Sequence, residues 1–298
     1  MKLGLQLNSF DWTGGPEGFR ATLREIAGTA EEAGFDRIGV SDHVWQHPIM
    51  GGPEANQPEC YTMLSFLAAS TEKVGLTAMV SGVHFRQPAV LVKAVTTLDV
   101  LSGGRAWLGV GSGHYEEEAR GLAIPFPPQS ERFEMLEETI QIALRMWSDE
   151  RGDEHPFEGK HYRLERPINL PQSLSKPHPP IMVAGDGERK TLRLVARYAD
   201  ACSLRPKPEI PTKLDVLRQH CEDEGRDYAS IEKTCAFAFD VGERGEKVDE
   251  LTGQLRWLSS MGVETVIGFV PHVDRITPLE IIGREVIPNV AELSTPPP

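Results

Sequence analysis

Two apolar patterns alternate along the chain. Apolar positions three and four residues apart, as in Phe19, Leu23, Ile26 and Ala30, share one face of a helix, and short continuous apolar runs follow them. The first helix is expected to begin near Pro16 and to stop at Gly34, where a left-handed cap suits glycine. Asp36-Arg37-Ile38-Gly39-Val40 then reads as a strand. The order returns at Val92, Val95 and Leu98, ended by Ser102-Gly103-Gly104 before Ala106-Trp107-Leu108-Gly109-Val110. It returns again at Val248, Leu251, Leu255 and Leu258, ended by Gly262 before the run 263–270. Weaker strand patterns occupy 74–80, 180–184, 201–204 and 234–241, and Leu3-Gly4-Leu5-Gln6-Leu7 opens the series. Apolar strands alternating with helices predict an α/β fold with a parallel sheet covered on both faces. Eight such units without a break in composition favour one closed (β/α)8 TIM barrel over 1–298, with an open doubly wound sheet as the rival.

One stretch breaks this rhythm. After a helix carrying Phe133, Leu136, Ile140, Leu144 and Trp147, residues 149–179 are polar and proline-rich. They are expected to form an insertion over one end of the barrel, with His161-Tyr162-Arg163-Leu164 as a hairpin strand. The tail 294–298, ending in three prolines, is expected to fray.

Charge and cysteine usage narrow the function classes. With 31 basic and 44 acidic residues the net charge is −13, which repels phosphate backbones and argues against nucleic acid as a partner. No run of ~18 apolar residues offers a membrane span. Four scattered cysteines without a CxxC pair or a secretory leader point to a cytoplasmic protein with reduced thiols. The expected partners are a small-molecule substrate and, in a homodimer, a second copy of the chain.

In a barrel of this kind the chemistry gathers at the C-terminal strand ends. Strand two ends at Asp42-His43, a pair that reads as acid and base, as metal ligands or as a hydrogen-bonded core histidine. No HExxH or paired Cys/His spacing supports a metal centre. Gly109-Val110-Gly111-Ser112-Gly113 lacks the third glycine of a dinucleotide fingerprint, but its small residues let backbone approach a flat or phosphorylated ligand. The plainer reading is a tight turn serving packing alone. Gly185-Asp186-Gly187 leads into a helix whose first turn carries Arg189, Lys190 and Arg193, a basic cluster suited to an anion or, more plainly, an exposed helical face pairing with Glu188. Glu116-Glu117-Glu118 reads as the acidic first turn of a helix, with no chemistry assigned.

Several of these segments resemble the bacterial luciferase-like monooxygenase superfamily, in the family's own order. They are Gly34-Phe35-Asp36-Arg37-Ile38-Gly39-Val40-Ser41-Asp42-His43, the stretch from Phe85-Arg86-Gln87-Pro88 to Ser102-Gly103-Gly104-Arg105, and Leu108-Gly109-Val110-Gly111-Ser112-Gly113. Ile124-Pro125-Phe126-Pro127-Pro128 with Glu131-Arg132-Phe133, and Pro179-Pro180-Ile181-Met182-Val183 with Gly185 and Gly187, complete the likeness. It is greatest to the branch that uses the deazaflavin coenzyme F420. The resemblance implies an oxidoreductase that moves a hydride between the deazaflavin, held at the barrel mouth, and an organic substrate. His43 would be the acid/base, Asp42 its orienter or a ring contact, and Trp45 a neighbour of the reacting centre. Gly111, Ser112 and Gly113 would lie on the phosphate side, with Gly185, Asp186 and Gly187 around the cofactor tail. Arg189, Lys190, Arg193 and Arg86 are the cations available to that tail.

The resemblance further implies a non-proline cis peptide behind the ring, at Met79–Val80 or one residue earlier at Ala78–Met79. Two positions depart from the family. His114 stands where its sugar-phosphate dehydrogenases place an acid, so their substrate and proton scheme do not transfer. Asp186 puts a negative charge into a turn expected to favour anions. An FMN-dependent monooxygenase would share most of these motifs, and a cofactor-binding protein without turnover is the alternative from another class.

Overall fold

The computed structural model describes residues 1–293. The tail 294–298 lies outside the described residues. Eight strand positions, all parallel, close into a barrel: β1 (Lys2–Leu7), β2 (Arg37–Val40), β3 (Gly75–Ala78) continued by β4 (Ser81–Gly82), β5 (Ala106–Gly111), β8 (Ile181–Ala184), β9 (Ala201–Leu204), β10 (Glu232–Ala238) and β11 (Thr265–Phe269). β11 pairs back onto β1, with Leu3 opposite Val266, and β3 pairs with β5, with Leu76 opposite Ala106. Every strand expected from the apolar runs is present. The expected closed barrel forms, and the rival open sheet is ruled out, because β1 and β11 pair along their free edges. The peptide between Met79 and Val80 is cis, at the expected bond, where β3 gives way to β4.

The helices lie outside this barrel: α1 (Gly15–Ala33), α2 (Cys60–Ala68), α3 (Pro88–Ser102), α4 (Glu116–Gly121), α5 (Gln129–Met146), α6 (Thr191–Tyr198), α7 (Ile210–Glu224), α8 (Val248–Ser260), α9 (Thr277–Ile281) and α10 (Ile287–Ala291). α1 starts with a proline in its first turn and stops at Gly34, whose φ of 91° provides the left-handed cap. None of the described helices is long and apolar enough to cross a membrane.

Strand periodicity explains where the core lies. Leu3, Leu5, Ile38, Val40, Leu76, Leu108, Val110, Ile181 and Val183 face the helices and form the main buried cluster. The alternate positions face the barrel axis, and many are small: Gly4, Gly39, Gly109, Ala184, Ser203 and Ala236. At Gly39 an added Cβ would sit 2.5 Å from Met79 Cγ, and at Gly109 it would overlap the Ala78 carbonyl. Small inward residues keep the upper interior open. The lower end is filled instead. Arg37 reaches across from β2 to both carboxylate oxygens of Glu232 at the start of β10, 2.9 Å to each, and its guanidinium lies 4.1 Å from the Trp107 ring centroid.

The insertion of 149–179 is present but does not cover the mouth. Its two short strands, β6 (Phe157–Glu158) and β7 (Arg163–Leu164), form an antiparallel hairpin against α5. Buried Glu138 accepts the amides of Lys160, His161 and Tyr162. Farther along, Asn169 bonds Thr96, and Asp99 accepts from Leu174 and Ser175. These anchors tie the segment to the flank of α3 and α5.

Candidate active site

The C-terminal ends of the strands open onto a cavity of about 630 Å³. Met79 and Val80 form part of its wall, and Gln6, Ala184, Ser203 and Ala236 reach it from inside the barrel. Of the residues singled out in the sequence, Asp42, His43, Gly111, Ser112, Gly113, His114, Gly185, Asp186 and Gly187 line it as well. Loops from four strand ends, separated by up to 145 positions, thus meet at one opening.

Trp45, Arg189 and Lys190 lie elsewhere. The Trp45 ring packs onto Gly121 of α4, so closely that a Cβ at Gly121 would overlap it. Arg189 and Lys190 line a smaller cleft of about 150 Å³ between α5 and α6, together with Arg193 and Arg197. The turn from Gly185 to Gly187 presses against Thr191, leaving 3.0 Å between Thr191 Oγ1 and a Cβ built on Gly187. Glycine and threonine therefore face the cavity while the long basic side chains line the adjoining cleft. Phe133 belongs to the walls of both, and Lys190 Nζ lies 5.4 Å from its ring centroid.

His43 is oriented by a residue that the sequence left without a role. Its Nδ1 lies 2.8 Å from Oε2 of Glu118, whose side chain is fully buried in α4. The other carboxylate oxygen accepts the amides of Val44 and Trp45, so a single glutamate fixes both the ring and the loop that carries it. Burial pushes the Glu118 carboxyl up, but the hydrogen bonds from His43, Trp45 and Val44 outweigh it and hold the group below the usual glutamate range. An ionised Glu118 keeps the proton of a neutral His43 on Nδ1, which leaves Nε2 free as a base.

Asp42 does not orient His43. Both of its oxygens are taken by Arg86, whose Nη2 also donates to Glu59 at 2.6 Å and whose guanidinium lies 4.9 Å from the Tyr61 ring centroid. Arg86 is thus committed to Asp42 and Glu59, not to a cofactor tail. Asp186 is also neutralised in place, because Arg205 donates to its two oxygens at 2.6 and 2.8 Å. That pairing holds the Asp186 carboxyl below its ordinary range.

Around His43 stand His47 and His114, with ring centroids 5.9 and 5.6 Å away, and Phe85 and Tyr115 at 6.1 and 6.0 Å. Burial lowers the pKa of His47 and of His114, and the neighbouring histidines lower both further. The two imidazoles are therefore neutral near pH 7. The arrangement provides one oriented base beside the cavity at the barrel mouth.

Comparison with known proteins agrees with this architecture. A protein of Kineococcus radiotolerans named F420-dependent glucose-6-phosphate dehydrogenase is 31% identical over 228 residues, which cover 71% of this chain and 61% of that protein. The chain spans about three fifths of the length of the curated relatives it matches. An F420-dependent secondary alcohol dehydrogenase, solved with an F420–acetone adduct, superimposes with a TM-score of 0.79 at 16% identity, covering 97% of this chain and 98% of its own. Monooxygenase RslO1 from Streptomyces bottropensis gives 0.80 at 19% identity, covering 97% and 99%. At these identities the two solved structures speak for the fold alone. The model of the luciferase-like monooxygenase family matches residues 2–280, from β1 into α9, and the chain belongs to that family.

Proposed function

We propose that the protein is an F420-dependent oxidoreductase that moves a hydride between the deazaflavin and a small organic substrate. The observation that carries this reading is His43, anchored by Glu118, on the wall of a cavity that five glycines, two alanines and two serines also line. Such walls suit a planar tricycle. Gly111 approaches Val80 so closely that an added Cβ would stand 3.0 Å from Cγ2. The cavity also falls within the ~300–1,000 Å³ usual for small-molecule sites. Met79 and Val80 would back the ring, and Gly111, Ser112 and Gly113 would receive the phosphate side through backbone amides. When bound, the deazaflavin supplies a two-electron hydride acceptor or donor at its carbon 5. His43 takes the proton of a substrate hydroxyl at Nε2, or returns one to a carbonyl oxygen, while Glu118 holds the ring in register and stabilises its charged form. The lining histidine His114, neutral near pH 7, offers a hydrogen bond to the substrate without a charge.

The Kineococcus radiotolerans relative is named as F420-dependent, and the basic cleft between α5 and α6 supplies what FMN has no use for. Arg189 and Lys190 line the adjoining cleft, which shares Phe133 with the cavity and would receive a polyanionic glutamyl tail. Titration with F420 and FMN side by side, read by tryptophan fluorescence quenching, tests both the cofactor and its tail. F420 should bind the wild-type protein more tightly than FMN. Reversing both charges (R189E/K190E) should weaken F420 about tenfold and leave FMN nearly unchanged, with the loss shrinking as salt rises. Equal losses for the two cofactors would remove the tail assignment. Preference for FMN would favour a monooxygenase.

A further inference from the structure

His84 plays no part in the proton chemistry assigned to His43, yet its ring lines the same cavity. The residue is 8% exposed, and both Nδ1 and Nε2 are buried without a hydrogen-bond partner. Among the described residues lining the cavity, it is the side chain left in that condition. Burying an unpaired polar group opposes folding, so such a group calls for an explanation.

The surroundings supply one. The ring packs against Phe85 at 4.1 Å between centroids and meets Phe126 edge-on at 4.9 Å. Its Cε1–Nδ1 edge lies between Gly82 of β4 and Gly113 of the glycine loop, and a Cβ on either glycine would overlap it. Burial, with the Arg132 guanidinium nearby, lowers its pKa to about 4, so the ring is neutral near pH 7 and offers one donor and one acceptor. Arg132 itself donates to the carbonyls of Ser112 and Pro127, whereas neither ring nitrogen of His84 has a partner. The glycine loop thus rests on a neutral imidazole whose hydrogen-bonding capacity is unspent.

We infer that His84 is a binding residue for the phosphate-bearing side chain of the cofactor, donating an N–H to one of its oxygens after the ring turns about its Cβ–Cγ bond. This rests on the deazaflavin reading above. Contact with Gly113, on the phosphate side of the cavity, is what directs the assignment to the side chain and away from the tricycle.

The test compares wild type, His84→Phe and His84→Gln by titration with F420 and with the deazaflavin riboside that lacks phosphate and tail. Thermal melts of the cofactor-free proteins accompany the titrations. H84F should bind F420 about five- to tenfold more weakly, the loss of one hydrogen bond, and bind the riboside as wild type does. Its melting temperature without cofactor should be equal to or above that of wild type, because an apolar ring relieves the unpaired nitrogens. H84Q, which keeps a donor, should recover most of the F420 affinity. Unchanged F420 affinity in H84F overturns the inference. So does an equal loss for the riboside, or failure of H84F to fold, which would make His84 a packing residue. Failure of wild type to bind F420 is a separate outcome, and it strikes the functional reading itself.

Discussion

Replacing His43 by alanine should lower turnover by about 10²–10⁴-fold, the usual contribution of a positioned acid or base, and leave F420 affinity nearly unchanged. His43 lines the cavity with its Nδ1 held by Glu118, and no other histidine among the described lining residues has that anchor. His47 and His114 are close, but Glu118 holds neither of them. The measurement is the single-turnover absorbance change of the deazaflavin with any alcohol or carbonyl compound that wild type accepts, beside a binding titration. Turnover that survives the substitution would make His43 a structural histidine. A large fall in F420 affinity alongside lost turnover would instead mean that the ring shapes the cavity rather than moving a proton.

Substitution of Glu118 should have an effect nearly as large, from a residue that is not expected to touch substrate. Glu118→Ala removes the partner of Nδ1 and leaves the Val44 and Trp45 amides without an acceptor inside the protein. Each unpaired buried group costs about 1–3 kcal/mol, so the melting temperature should fall along with turnover. Glu118→Gln separates the two effects. It keeps the volume but removes the charge that favours a protonated imidazole, so kcat should fall more than tenfold with little change in KM. The pH dependence of stability is a further check. Because the folded-state carboxyl titrates below its ordinary value of 4.5, Glu118 adds stability that is complete above that value. That stability is lost as pH falls through the lower, folded-state value. The gap in melting temperature between wild type and E118Q should therefore be full near neutrality and close in strong acid. A gap that does not change with pH would mean that Glu118 is not the ionised partner.

The barrel was legible because its signals are local. A helix face repeating every three or four residues, a glycine at its end and a short apolar run can each be read within twenty residues. The glycine turns at 111–113 and 185–187 were legible for the same reason. Pairings were not. Glu118 sits in a run of three glutamates that any acidic first turn would show, and what distinguishes it is the loop 75 residues earlier that the barrel brings over it. Asp42 looked like the partner of His43 because the two are adjacent, but neighbouring side chains on extended backbone point apart. Asp42 turns instead to Arg86, 44 positions away. Arg189 and Lys190 were correctly seen as a basic cluster, but their direction from the turn depended on the contact of Gly187 with Thr191. His84 falls at the end of the third strand, but nothing in the sequence marks its ring as unpaired, since a histidine without a partner looks like any other.

The Arg37 plug at the lower end of the barrel has a kinetic counterpart. With guanidinium, indole and Glu232 filling that end, two molecules that share the cavity pass through one doorway. On the proposed reading, a ring lying against Met79 and Val80 would be the inner guest, and the substrate would arrive after it and depart before it. Steady-state rates should follow a compulsory order, cofactor first. An unreactive substrate analogue should inhibit uncompetitively against F420, since it can lodge only in the chamber that the coenzyme has already entered.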